Sequence, residues 1–156
     1  MAKKQSAGLL LYRFRGDNLE VLLIHPGGPF WKNKDAGAWS VPKGEFEDDE
    51  DALAAAKRET QEELGRAFTG KFTALEPVKL KTGKIAYAWA LEADFDPEKL
   101  VSNIFEMEWP PRSGKKIMVP EADKAAWLSP KEAKEKINAA QVNFIDQLLL
   151  ILKNDV

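Results

Sequence analysis

The sequence predicts an α/β fold, with helices packed on a mixed sheet. Three observations carry this: short β-prone apolar runs recur along the chain, one helical pattern interrupts them before residue 65, and the C-terminal part reads as helices. Strands in runs, not alternating one for one with helices, argue for a sandwich and against βαβ repeats. At 156 residues the chain reads as one domain, 1–156, long enough to bury a core.

Taken in order, Ala7–Phe14 and Glu20–Ile24 are strands joined by the turn Arg15-Gly16-Asp17-Asn18. Pro26-Gly27-Gly28-Pro29 breaks the chain, and a loop with Phe30, Trp31, Lys32 and Lys34 follows. Trp39-Ser40-Val41 is a short extended piece that Pro42 ends. A loop from Lys43 leads to a helix whose N-cap is Asp48 or Asp49. On that helix Leu53, Ala56, Thr60 and Leu64 recur at helical spacing as the buried stripe. Lys71–Leu80 and Lys84–Leu91 are strands around Lys81-Thr82-Gly83, and the polar Asp94–Ser102 is a loop or short turn. Ile104–Trp109, Lys116–Val119 and Lys124–Leu128 are further strands, the first two parted by Pro110-Pro111-Arg112-Ser113-Gly114. Ser129-Pro130-Lys131-Glu132 opens a helix, with Ser as N-cap, Pro at N1 and Glu at N3. A last helix runs from about Ala139 with Val142, Ile145, Leu149 and Leu152 inward.

The chemistry concentrates in Arg58-Glu59-Thr60-Gln61-Glu62-Glu63-Leu64-Gly65. Glu59 meets Glu62 at i,i+3 and Glu63 at i,i+4, so three carboxylates share one side of the helix, a conflict of roughly 0.2–0.5 kcal/mol per pair. A hard divalent ion that wants converging oxygen ligands removes it. The three are expected to face a cleft or solvent and not the core. Glu45, Glu47, Asp48, Asp49 and Asp51 read as a solvated acidic run before a helix. Gly44 implies a close backbone approach or a positive φ, Arg58 a clamp with Glu50 as candidate partner, and Gly65 the helix C′ residue.

Gly44, Glu50, Arg58-Glu59, Glu62-Glu63 and Gly65 at these separations resemble the Nudix box, with Thr60 and Arg66 standing where that pattern has aliphatic residues. The resemblance extends to Ala7–Arg13, to Trp39–Glu45 and to Trp127–Ala133. It implies an α/β/α sandwich and hydrolysis of a diphosphate linkage in a nucleoside diphosphate derivative. Arg58–Glu63 and the Pro-Lys-Gly approach are most like diadenosine polyphosphate hydrolases, with nucleoside triphosphates as the neighbouring substrate class. The family's metal ligands map onto Glu59, Glu62 and Glu63, with the carbonyl of Lys43 or Gly44, and Mg²⁺ is the expected ion with Mn²⁺ as substitute. A further ligand or base is expected at Glu121, six residues before Trp127, with Glu106 and Glu108 as competitors. A non-catalytic Nudix-fold regulatory module is the alternative, and the four intact box glutamates count against it.

For the nucleotide, Trp31 and Trp39 are candidate stacking rings, and Lys43 is the candidate phosphate contact. His25, the single histidine, reads as structural or solvent-exposed and not as catalytic. The formal charge of −2 and pI of about 5.6 provide no basic field for nucleic acid. The chain has no cysteine, which fits a reducing cytoplasm. Lys3 and Lys4 precede an apolar run, Leu9–Leu11, too short for a signal peptide, and Leu148–Leu152 is too short to span a bilayer. A cytoplasmic monomer or homodimer with a small nucleotide substrate is the expectation.

Overall fold

A computed structural model describes residues 5–154, so Lys3 and Lys4 lie outside it. The first two strands, β1 (Gln5–Arg15) and β2 (Asn18–Pro26), form an antiparallel hairpin in which Arg15 faces Asn18. Next come β3 (Lys43–Phe46), α1 (Ala52–Leu64), β4 (Thr73–Ala74), β5 (Val78–Lys79) and β6 (Ile85–Glu92). The chain closes with β7 (Ile104–Glu108), β8 (Lys116–Pro120), β9 (Ala122–Leu128), α2 (Pro130–Lys136) and α3 (Val142–Asn154). Strands β4, β6, β1, β2 and β9 lie side by side, with β3 on β1 and β5 on β6, and only the β1–β6 pairing is parallel. A separate hairpin, β7–β8, stands off this sheet.

Helices cover both faces, which is why β1 and β2 read as near-continuous apolar runs and do not alternate. Ala7, Leu9 and Leu11 join Ala55, Ala56 and Leu64 of α1 on one side. Leu10, Val21 and Leu23 meet Ala133 of α2 and Phe144, Ile145 and Leu148 of α3 on the other. The result is the α/β/α sandwich expected. Among the described residues no helix is long and apolar enough to cross a membrane.

Several elements differ from the sequence expectation. Lys43–Phe46 is a strand and not a loop, because β1 offers it a free edge: Gln5–Gly8 pair with β3 while Tyr12–Arg15 pair with β2. Trp39 and Ser40 make only isolated bridges, to Ile137 and Ile24. The segment 39–46 is therefore a wedge between the ends of β1 and β2. Lys71–Leu80 breaks into two short strands, since Glu76-Pro77 interrupts the ladder. Helix α1 starts later than expected: Asp51 is its N-cap, accepting from the Ala54 amide at 3.0 Å, while Asp48 and Asp49 lie in the preceding turn. In α3 the fully buried side chains are Phe144, Ile145 and Leu148, whereas Val142, Leu149 and Leu152 are only partly buried. Ser129 caps α2 as the sequence indicated, accepting from the Glu132 amide.

Candidate active site

The wedge sets the site. Strand β3 runs beneath the last turns of α1, and Gly44 is where the two nearly touch: a β-carbon there would lie 1.8 Å from Glu59 Oε2. No residue with a side chain leaves that carboxylate in place. Next to it, the Lys43 amide donates to Glu63 Oε2 at 3.0 Å. Two box acids are thus seated against β3, each by a main-chain feature.

Glu59 and Glu63 are buried, 9 % and 7 % exposed, contrary to the expectation that the box acids avoid the core side. The helical geometry explains it. Glu63 follows Ala56 by seven residues, two turns of helix, so it shares the bearing of a core residue. The buried arc of α1 takes in Ala55, Ala56, Glu59, Thr60, Glu63 and Leu64, broader than the single stripe anticipated. Thr60 is fully buried there, and its hydroxyl has no hydrogen-bond partner among the described residues. Glu62 is half-exposed at the rim.

Arg58 organises the acids. It grips Glu50 through Nε and Nη2 at 3.0 and 2.8 Å, and its Nη1 donates to Glu59 Oε1 at 2.7 Å while lying 3.6 Å from Glu62. This bidentate clamp is the Arg58–Glu50 pair the sequence suggested. It holds the Glu50 carboxyl below its usual range and raises the guanidinium's affinity for its proton. Gly65 ends α1 with φ of 80°, its amide returning to Gln61.

Glu121, at the β8–β9 corner, lies within electrostatic reach of Glu59, Glu62 and Glu63. Burial and then the Glu62 charge raise its pKa, and its own charge pushes Glu59 and Glu63 up. Burial is the leading cause for both of those; Arg58 opposes the rise at Glu59, and Lys43 opposes it at Glu63, which stays well above the usual carboxylate range. Glu106 and Glu108 sit instead on exposed β7, and Glu108 accepts from the Arg112 amide. Among the described residues, no three Asp, Glu or His side chains stand close enough to hold a metal ion as placed; Glu59 is drawn to Arg58 and Glu63 to the Lys43 amide. The donor set still suits a hard cation, being all carboxylate oxygen, crowded enough to resist ionising together, and cradled at a glycine that no side chain can fill.

The candidate substrate residues separate. Trp31 is half-buried, packed edge-to-face on Phe30 at 4.9 Å with Lys34 Nζ over the Phe30 ring at 3.5 Å. Trp39 is a core residue: 4 % exposed, its Nε1 donating to Asp35 and its ring edge-on to His25. It has no face open to a base, which corrects its assignment as a stacking ring. Lys43 is partly buried, and burial lowers its pKa against the opposing pull of Glu63. His25 is buried, with Nε2 donating to the Lys34 carbonyl at 2.6 Å and Nδ1 on Asp123 at 2.9 Å, a structural tie as expected. The sequence reading did not single out Ser102 and Asn103, which bond the β8–β9 corner, Ser102 through its hydroxyl and Asn103 through its backbone. Only the tertiary path of the chain brings them here, and no residue pattern signalled it.

A family model described as NUDIX domain matches residues 2–148. The fold is similar to that of a C. elegans Ap4A hydrolase binary complex, at 21% identity, 96% of this chain, 98% of that chain and a TM-score of 0.65. It is similar also to the NUDIX domain of Shewanella oneidensis NrtR complexed with ADP ribose, at 15% identity, 97% of this chain, 90% of that chain and a TM-score of 0.66. The E. coli ORF135 protein aligns at 24% identity, over 96% of this chain and 91% of that one, with a TM-score of 0.55. No curated protein matches the chain in sequence.

Proposed function

We propose, from the premise that this chain belongs to the NUDIX family and is a pyrophosphohydrolase, that it cleaves a diphosphate linkage in a dinucleoside polyphosphate or a (d)NTP in the cytoplasm. The observation that supports this reading most is the seating of two box acids against β3: the Glu59 carboxylate fills the space of a β-carbon on Gly44, and Glu63 accepts from the Lys43 amide. Glu59, Glu62, Glu63 and Glu121 would hold a divalent cation, Mg²⁺ or in its place Mn²⁺. When bound, such an ion supplies charge neutralisation on phosphate oxygens and a more acidic water.

The chain's own residues do the rest. Arg58 fixes the Glu59 carboxylate through Nη1, and the Lys43 amide fixes Glu63. Burial and mutual repulsion raise the proton affinities of Glu59, Glu63 and Glu121, and a carboxylate within reach of the attacking water is the group that would take its proton. The Lys43 ammonium offers positive charge to the phosphate chain, and Trp31 offers a ring face to a base. Gly44, Glu50, Arg58 and Gly65 are the scaffold of this arrangement.

The test is incubation of the protein with a panel of nucleoside diphosphate derivatives and Mg²⁺ or Mn²⁺, with products identified by mass. Glu62→Gln is expected to lower turnover by at least about 100-fold, as loss of other charge-stabilising groups does. Near-normal turnover of that variant in saturating Mg²⁺ refutes its role. Tight nucleotide binding without any product turns the reading toward a regulatory module.

A further inference from the structure

We propose that Ser102 is a positioning residue for Glu121, and that Val101–Asn103 is a staple holding Glu121 against the acidic turn of α1. The proposal rests on the reading of Glu121 as a member of the acid group. The last carbonyls of a helix have no partner within it and must find donors elsewhere. Here the Asn103 amide donates to the Glu62 carbonyl at 3.0 Å, and the Val101 amide to the Leu64 carbonyl at 3.4 Å. The approach is tight enough that a β-carbon on Gly65 would lie 2.7 Å from the Val101 carbonyl oxygen.

The same segment then takes hold of the β8–β9 corner. The Asn103 carbonyl accepts from the Glu121 amide at 2.8 Å. The Ser102 hydroxyl accepts from the Ala122 amide at 3.0 Å and donates to the Asn103 carbonyl at 3.1 Å. From the opposite side, the Glu121 carbonyl accepts from the Gly27 amide at 3.2 Å. Glu121 therefore has its backbone fixed at both peptide bonds, and one of the tethers leads straight to the carbonyl of Glu62. Two acids on distant elements become one rigid unit.

Ser102 is the point where side-chain chemistry enters this main-chain network. Ala122 is 2 % exposed, so its amide has little water to replace a lost acceptor. Removing the hydroxyl leaves the amide of the peptide that follows Glu121 without its acceptor, its carbonyl still held by Gly27, and leaves the Asn103 carbonyl with one donor fewer. The route from Ser102 to the acid group runs through the Glu121–Ala122 peptide.

The test uses Ser102→Ala, Ser102→Thr and Ser102→Ala combined with Glu121→Gln. Two readouts are taken without turnover: amide exchange at Ala122 in metal-free protein, and the Mg²⁺ concentration giving half-maximal thermal stabilisation. A third is the Mg²⁺ concentration for half-maximal turnover. Ser102→Ala is expected to speed Ala122 exchange and raise both Mg²⁺ requirements about 10-fold, as loss of an outer-shell partner does; Ser102→Thr restores them. In the Glu121→Gln background the Ser102→Ala effect on Mg²⁺ response is expected to vanish, because acting through one residue makes the two changes non-additive. An undiminished effect there, or wild-type behaviour of Ser102→Ala, overturns the staple alone. A wild-type protein that neither responds to Mg²⁺ nor turns over a nucleotide overturns the acid-group reading, and the staple falls with it.

Discussion

Gly44 and Glu59 are in contact across the gap between β3 and α1, so closely that the space of a β-carbon on one is filled by the carboxylate of the other, 1.8 Å from Oε2 and 2.2 Å from the carboxyl carbon. Arg58 prevents that carboxylate from simply swinging away. Gly44→Ala is therefore expected to displace Glu59, costing about 1–3 kcal/mol of stability as an overpacked site and about 10-fold or more in Mg²⁺-dependent turnover. A variant with wild-type turnover and melting temperature shows that Glu59 has room to move without consequence.

Arg58 joins Glu50 by two bonds and Glu59 by a third, a geometry that a lysine ammonium cannot copy. Arg58→Lys should lose little stability, because the pair is solvent-exposed and screened. Turnover should fall about 10-fold as the Glu59 carboxylate loses its orientation. Urea denaturation together with steady-state kinetics separates the two effects. Stability and activity falling in proportion point to a fold role only.

Burial, Glu121 and Glu59 raise the folded-state pKa of Glu63 above 4.5. A group of that kind contributes stability fully below its unfolded pKa and loses it as pH rises through the folded value. In chelator, Glu63→Gln should thus melt higher than the wild-type protein at about pH 7. The gap should close as the pH falls toward 4.5, while the Mg²⁺-induced rise in melting temperature shrinks. An equal or lower melting temperature for the variant at neutral pH counts against a strained carboxylate at that position.

Trp31 and Trp39 should part company on substitution. Trp31→Ala is expected to raise KM for the nucleotide with kcat retained, by the ~1–3 kcal/mol that an aromatic face gives a stacked base. Trp39→Ala removes a core ring with its Asp35 and His25 contacts and should cost about 3–5 kcal/mol of stability. Chemical denaturation and initial-rate kinetics decide it. An unchanged KM for Trp31→Ala removes that ring from the substrate site.

The sequence alone determined what depends on neighbours a turn or two away. The spacing of Glu59, Glu62 and Glu63, the Glu50 partner within reach of Arg58, the Ser129 cap and the left-handed Gly65 are set by helical geometry and local backbone chemistry, so they were legible from residue order. The tertiary structure decided whatever depends on long-range pairing. Main-chain edges left free by the β1–β2 hairpin pull Lys43–Phe46 into a strand, and this brings Gly44 under Glu59 and the Lys43 amide onto Glu63. The same packing buries Trp39 while leaving Trp31 half-exposed, although both are tryptophans in one turn-rich segment. Backbone bonds from Asn103 and Gly27 set Glu121 beside the helix acids. Those bonds carry no side-chain signature, because every residue but proline has the same amide and carbonyl to offer.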